Sequence, residues 1–532
     1  MKPIRCAKTL LFSSILWFGT SGLRPANAQT AGPQGTAPVI DTQAAADLLK
    51  KLDQLVEQNT RLEQQNKELM DQIEAMRKLL AAPAGTPVAT SPAATPSAVP
   101  APAGEKNEIS TTPTMEGTGE GEAPTKEDRL STVEGPKGFG SYTPNFGFKV
   151  ADTKYGDLNI SIYTYARYLN QLDLAPTYTN YFGVTSAVQR RQDVQLNKVQ
   201  IKFLGWLMDP KFRYFLYAWS SNPNQGQGAQ VVLAGNLNYE FSKYFTLSGG
   251  IRSLPGTRSV EGNFPFWLGV DTRLIADEFF RPSYTDGIWA QGQVTDKTRY
   301  QVMVGNNLSI LGVNAGQLPN NFSTVSSSFA WMPTTGEFGP GFGDFEDHKQ
   351  VATRIAVHYT RSREDKQSQP NSEAFENTQI RLADGTIVFT PNIFGPGLTV
   401  TDVTYQMSSI DGGVKYHGFA LEGEGFFRWL SDFRGAPGVP TIFNQGFQAQ
   451  LSMMVTPKAL QLYSGGSMIF GNPYGTPYDA RIGTNFFPFH NKVVRWNTEA
   501  LYLFKSPVGY YAVPFVVGGK GWVFHTNMEM AF

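Results

Sequence analysis

The sequence predicts an all-β transmembrane barrel of about 16 antiparallel strands, preceded by an α-helical coiled coil and a Pro/Ala-rich linker. Three observations predict the barrel. Apolar and polar residues alternate in segments of about ten residues, and the chain ends in such a segment, closed by Phe532. Very short turns also alternate with long loops, at 169–192, 253–285, 306–349 and 431–445. A soluble β-sandwich shares the alternation but not this order of connections, so the barrel is favoured.

The composition fits a β-rich protein that contacts lipid. Of 532 residues only 17% are charged and 13% are aromatic, whereas a typical soluble domain has about a quarter charged residues. The 45 basic and 45 acidic residues cancel, so no net charge points to nucleic acid as a partner. The single cysteine, Cys6, lies in the export signal, which excludes disulfides and cysteine–metal sites from the mature chain.

Residues 1–28 have the pattern of a secretory signal peptide. Basic residues precede the apolar stretch 11–18, and Ala26-Asn27-Ala28 is a small-x-small cleavage site. A membrane-anchoring helix needs about 20 apolar residues, and this stretch is shorter. We therefore expect export and cleavage, which leaves 29–44 as a short N-terminal segment.

A seven-residue repeat at 45–82 predicts a periplasmic coiled coil. Apolar residues, mostly leucine, occupy position d from Leu48 to Met76 without an intervening Gly or Pro. Asn59 and Asn66 fall at successive a positions, where buried polar residues fix register and strand number. The sequence leaves two- and three-stranded coiled coils open.

Residues 83–140 are rich in Pro, Ala, Thr and Gly, a composition that predicts a disordered linker. The barrel then occupies 141–532. The strand count must be even, because the coiled coil and the last strand both belong in the periplasm. Fifteen strands can be placed, near 157–168, 193–206, 211–220, 229–241, 244–252, 286–294, 297–305, 350–360, 403–416, 419–430, 446–456, 459–470, 480–488, 492–505 and 520–532. The sixteenth is expected between 360 and 403, with 377–389 as the best candidate.

Residues 409–428, Ser-Ile-Asp-Gly-Gly-Val-Lys-Tyr-His-Gly-Phe-Ala-Leu-Glu-Gly-Glu-Gly-Phe-Phe-Arg, resemble the porin O/P family, whose best-known members are phosphate-selective porins. Residues 448–458, 483–487 and 490–492 are similar to the same family. A coiled coil before the barrel resembles the DcaP-type porins of that broad group, which are trimers. The resemblance implies a 16-stranded trimeric pore. It does not establish phosphate as the solute, because the dense ladder of arginine and lysine of a dedicated phosphate channel is missing here.

The strand phase opposite the apolar stripe should face the lumen. Its basic residues are Arg167, Lys198, Lys202, Arg252, Arg299, Arg354, Arg428 and Arg495, and its acidic residues are Glu240, Glu422, Glu424 and Glu499. Rings of basic side chains favour anions, which predicts a pore with modest anion preference. Alternatively, some of these residues form structural Arg–Glu pairs between strands or contact lipid phosphates at the rim.

Loop 306–349, which contains the acidic stretch 344–347, is long enough to have a function. Folded inward, it would narrow the pore and set its acids against the basic wall. Folded outward, it would be a surface loop.

The expected function is a bacterial outer-membrane porin for small hydrophilic and anionic solutes. The alternative is a structural barrel whose coiled coil tethers the envelope to peptidoglycan or a periplasmic partner. We expect a homotrimer that contacts outer-membrane lipids and whose Phe532 is read by the barrel assembly machinery. The five scattered histidines give no catalytic or metal site, and we expect no enzyme activity and no cofactor.

Overall fold

The computed structural model of the protein describes residues 140–532, apart from 144–145, 222–229, 261–265, 312, 314–316, 319–321, 340, 368, 370–379 and 511. The predicted signal peptide, the coiled coil with Asn59 and Asn66, and nearly all of the linker lie outside these residues. Within the described part, sixteen strands form the barrel wall. They are β1 (Gly156–Asn170), β2 (Gln192–Leu207), β3 (Asp209–Ser221), β4 (Gln230–Ser242), β5 (Phe245–Ser253), β6 (Tyr284–Thr295), β7 (Thr298–Gly305), β8 (Thr324–Trp331), β9 (Ala352–Asp365), β10 (Asp402–Tyr416), β11 (Phe419–Arg434), β12 (Ile442–Thr456), β13 (Leu460–Phe470), β14 (Tyr478–Phe486), β15 (Val494–Phe504) and β16 (Lys520–Ala531).

Each wall strand pairs antiparallel with the next along the chain, and β16 pairs with β1. At this last seam Asn527 lies opposite Arg167. The sheet therefore closes on itself and leaves no free edge in the wall. The predicted barrel of 16 antiparallel strands is confirmed.

The sixteenth strand, which the sequence analysis expected at 377–389, is β8, so that prediction is wrong. Three consecutive serines, Ser326 to Ser328, dilute the apolar alternation of β8, so its sequence looks like part of a loop. The described residues of 377–389 instead turn back on themselves, with a single bridge between Arg381 and Ile387. This short hairpin packs inside the barrel, where its apolar residues find contacts without a strand partner.

The C-terminal residue completes the seam between β16 and β1. The backbone of Phe532 donates to the carbonyl of Ile162 at 3.0 Å and accepts from its N–H at 2.8 Å. β16 pairs with the second half of β1, from Tyr163 onwards. A short strand, Gly147–Thr153, pairs with the first residues of β1. The rings of Phe148 and Phe532 lie 5.8 Å apart at this junction. The predicted role of Phe532 as an assembly signal stays a prediction.

The two faces of the wall differ in polarity, as β12 illustrates. Its outward residues Phe443, Phe447 and Leu451 are exposed, whereas its inward residues Asn444 and Gln448 are buried. An apolar outer face is what a barrel needs in order to contact lipid.

The connections at the two ends of the barrel differ in length. At the short-turn end, His417 and Gly418 have φ values of 49° and 80°, which suit a tight two-residue hairpin turn. At the long-loop end lie connections such as 171–191, 254–283 and 366–401. The exception is 332–351, a long connection at the short-turn end. None of the described helices is long and apolar enough to cross a membrane.

Candidate functional site

The connection 254–283, between β5 and β6, folds into the barrel and is called the constriction loop here. Nearly all of its described residues are buried, and it contains a short helix, α1 (Ile275–Phe280). The N–H groups of Ile275 and Ala276 donate to wall residues Asp479 (3.3 Å) and Ser467 (3.0 Å). These bonds satisfy free N–H groups at the helix start and fix the loop against the far wall. The sequence identified 253–285 as a long loop but did not place it in the lumen.

The connection 332–351 enters the barrel from the short-turn end and is called the lower segment. Phe338 is buried, and the N–H of Phe342 donates to the carbonyl of Phe266 in the constriction loop at 3.0 Å. The N–H of Gly343 donates to the wall carboxylate of Glu422 at 3.3 Å. The loop expected at 306–349 is thus divided. Its middle forms β8, and its last part folds inward.

The acids of the lower segment are paired within the barrel. His348 hydrogen-bonds to Asp344 through Nδ1 and lies 3.1 Å from Glu337 through Nε2. Burial lowers the pKa of His348, but the hydrogen bonds to Asp344 and Glu337 outweigh burial and raise the pKa to about 10. His348 is therefore protonated at neutral pH and holds the segment through two carboxylates. Glu346 forms a second tie, an ion pair with Lys492 at 2.5 Å.

Basic side chains of the wall hold the infolded segments by their backbone carbonyls. Arg167 donates to the carbonyl of Ala512 at 2.6 Å and to that of Val270 at 2.7 Å. Arg495 donates to the carbonyl of Trp267 at 2.6 Å. These guanidinium groups link wall, constriction loop and the last connection, 505–519, and we call such residues clamps.

Other wall cations act in the same way. Lys415 donates to the carbonyl of Gly341 in the lower segment at 2.6 Å. Arg428 donates to the carbonyl of Arg381 at 2.8 Å. Arg381 belongs to residues 380–389, which enter from the long-loop end and are called the upper hairpin. The inward basic residues thus support internal structure as well as any electric field.

Several of the predicted pore-lining residues form buried ion pairs. These pairs are Lys198 with Asp271 (2.9 Å), Arg354 with Asp411 (2.9 Å), Arg495 with Glu529 (2.5 Å) and Arg258 with Glu422 (3.1 Å). Two of them, Arg354–Asp411 and Arg495–Glu529, join neighbouring strands. These two have the arrangement of the structural alternative, and the other two pairs join the wall to the constriction loop.

The remaining predicted residues also lie on the inner face. Arg252 donates to Gln291 (2.6 Å) and Gln301 (2.7 Å) and lies over the ring of Trp289. Lys202 is buried on β2. Glu424 accepts hydrogen bonds from Ser409 (2.7 Å) and from the backbone N–H of Arg258 (3.1 Å). Arg299 lies at the short-turn end, where it donates to the carbonyls of Asp296 (3.2 Å) and Gly336 (3.3 Å).

The predicted residues do not form one continuous ring around open space. Apart from Arg299 and Glu240, each of the twelve residues predicted to face the lumen is less than a tenth exposed. Some of them contact the constriction loop, the lower segment or the upper hairpin, whereas Arg252 and Arg354 bind other wall residues.

Three charged residues that fix the constriction loop were not identified from the sequence. Arg481 lies in the inward phase of β14, and it donates to Thr272 of the constriction loop at 3.2 Å. The strand alternation could have found it. Arg258 and Asp271 lie in the constriction loop itself, where no periodic pattern indicates which way a side chain points.

No family model and no curated protein matches the chain. Solved structures with a similar fold are outer-membrane proteins. OmpT of Vibrio cholerae, expressed in the outer membrane, has 9% identity and a TM-score of 0.46, and the match covers 72% of this chain and 99% of that one. An anion-selective porin from Comamonas acidovorans has 9% identity, coverage of 71% and 99%, and a TM-score of 0.43.

The outer-membrane channel DcaP of Acinetobacter baumannii has 10% identity, coverage of 72% and 99%, and a TM-score of 0.40. Identities this low concern the fold, and no residue's role is transferred from these proteins. The barrel assignment stands on the strand pairing of the chain itself. Membership of the porin O/P family stays a prediction.

Proposed function

We propose that the protein is an outer-membrane porin that lets small hydrophilic solutes diffuse through a narrow internal passage. The observation that carries the proposal is a closed barrel with an apolar outer face and a polar interior, divided by a loop that the wall holds in place.

We also propose a modest anion preference. Arg167 and Arg428 contribute inward positive charge, and their hydrogen-bond acceptors among the described residues are neutral oxygens. The ion pairs of Lys198, Arg354 and Arg495 cancel much of the remaining basic charge. The resulting preference is weaker than a ring of uncompensated arginines would give.

The test is swelling of liposomes that contain the purified protein. The rate of swelling is measured in solutes such as glycerol and acetate. A rate that falls steeply as the solute becomes larger supports a narrow porin. The same rate as in protein-free liposomes for every solute contradicts the proposal.

The second candidate is a structural barrel, and the dense packing of the described interior favours it. In that function the predicted coiled coil at 45–82 forms a homotrimer in the periplasm and contacts peptidoglycan. The two candidates differ in planar bilayers, because a sealed anchor gives no discrete current steps. Outer-membrane lipids and the barrel assembly machinery are partners in both.

A further inference from the structure

Two buried arginines meet where the upper hairpin covers the wall. Arg428 of β11 is 1% exposed, and Arg381 of the hairpin is 8% exposed. The Nη2 group of Arg428 donates to the backbone carbonyl of Arg381 at 2.8 Å. The positive charge of Arg428 thus lies directly beneath the backbone of the upper hairpin.

No carboxylate among the described residues accepts a hydrogen bond from Arg428. Its acceptors are the carbonyls of Arg381 and Phe279 (3.4 Å) and the Oδ1 atom of Asn444 (2.7 Å). Burial lowers the pKa of Arg381 to about 10, although the nearby Tyr178 hydroxyl raises it. Buried charges in proteins are normally paired, whereas the charge of Arg428 faces these neutral oxygens and the ring of Phe279 at 4.0 Å.

Two N–H groups at the same place have no acceptor. Nε of Arg428 and Nδ2 of Asn444 are buried without a hydrogen-bond partner. The orientation of the Asn444 amide follows from its partner, since the guanidinium can only donate and Oδ1 must accept. Nδ2 is therefore a true donor, and asparagine and arginine stand opposite each other on neighbouring strands.

The free Nε group belongs to a particular edge of the guanidinium. Nε and Nη2 form the edge that binds both oxygens of a carboxylate side by side. In Arg428 the Nη2 group donates to neutral oxygens and Nε donates to none. An ordered water would satisfy a donor without neutralising the charge. A carboxylate does both.

We propose that Arg428 and Asn444 form a binding site for the carboxylate group of a small solute, covered by the upper hairpin. The carboxylate oxygens accept from Nε and Nη2 of Arg428, and Nδ2 of Asn444 is the third donor. The carbonyl of Arg381 occupies the place of one oxygen while the hairpin is closed. The site rests on the proposed function, because the solute arrives through the long-loop end of the channel.

The experiment uses the purified full-length protein with acetate as the probe and chloride as the reference. Acetate replaces chloride at constant ionic strength while the single-channel current is measured in planar bilayers. In the unmodified protein we expect acetate to reduce the chloride current, with a half-effect concentration about tenfold below that of Arg428→Gln. Arg428→Lys keeps the charge but lacks the two-nitrogen edge, so it should keep the anion preference and lose the acetate effect.

The matched control is Arg361→Gln. Arg361 is exposed on the outward side of β9, so this change removes one positive charge without touching the interior. An equal acetate effect in Arg428→Gln and the unmodified protein overturns the site, as does an equal loss in Arg361→Gln. Asn444→Leu, which removes the third donor, should weaken the effect.

A second readout separates this site from the channel itself. Acetate should raise the thermal unfolding temperature of the unmodified protein at constant ionic strength, and should not do so for Arg428→Gln. If the protein conducts but shows neither effect of acetate, the site is wrong and the porin stands. If it never conducts, the proposed function fails, and the thermal shift alone decides whether the site binds acetate.

Discussion

Replacing Arg167 with Met should loosen the constriction loop without opening the barrel wall. The guanidinium group is fully buried and donates to Ala512 (2.6 Å) and Val270 (2.7 Å) in two different infolded segments. Its Nε group donates to Asn527 of β16 at 2.8 Å. Met has a similar reach but no donor, so these three acceptors and the Oγ1 atom of Thr272, at 3.4 Å, lose this partner.

The size of the effect follows from the hydrogen bonds that are lost. A hydrogen bond to a charged group contributes about 1.5–3 kcal/mol, so the two bonds to the infolded carbonyls contribute about 3–6 kcal/mol. That energy corresponds to roughly two to four powers of ten in the ratio of closed to open loop. Other contacts of the loop, such as Ile275 with Asp479, remain, so the change is local.

Hydrogen–deuterium exchange and single-channel recording measure this change. Amides at 266–274 and 505–519 should exchange faster in Arg167→Met, and the channel current should become larger or noisier. Arg361→Met, on the outer face, is the control and should match the unmodified protein. If exchange and current in Arg167→Met are both unchanged, Arg167 does not act as a clamp and the reasoning is refuted.

Three further predictions concern other contacts. Folding raises the pKa of His348 from 6.5 to about 10, so the stabilisation from its ion pairs is full below about pH 6.5 and is lost as the pH rises towards 10. Amide hydrogen exchange at 341–351 should therefore increase over that pH range. His348→Gln should abolish this pH dependence. Arg354→Gln leaves Asp411 buried with one partner fewer and should lower the free energy of unfolding by about 3–5 kcal/mol in urea titrations, whereas adding Asp411→Asn should recover part of the loss. Deleting Phe532 removes the hydrogen bonds to Ile162 and should reduce the yield of folded protein in the outer membrane; an unchanged yield would count against an assembly role.

Much of the barrel could be predicted because each wall strand has one apolar and one polar face. The period of two is set by strand geometry, so it is visible in the sequence wherever lipid contacts one face. β8 was missed because its serines face either side at little cost and break the pattern. The hairpin with Arg381 has the apolar content of a strand because its apolar residues pack inside the barrel instead of against lipid.

The interior was harder to predict than the wall. Alternation predicts an inward direction for Arg167, Arg354 and Arg428, which are buried in the structure, but it does not show what they contact. Their partners, such as Val270 in the constriction loop, lie far away in sequence and follow no period. Whether an inward arginine faces water, a carboxylate or a carbonyl depends on loops, and loop paths are set by tertiary contacts.

The most direct test of the account is the single-channel current of the purified unmodified protein in a planar bilayer under a salt gradient. A narrow porin held by basic clamps should give small, discrete current steps. Its zero-current potential should shift modestly towards the equilibrium potential of the anion, and this shift should become smaller at high salt. The absence of discrete steps would contradict the porin and favour the sealed anchor. Discrete steps with a cation-directed potential would leave the porin standing and exclude the proposed anion preference.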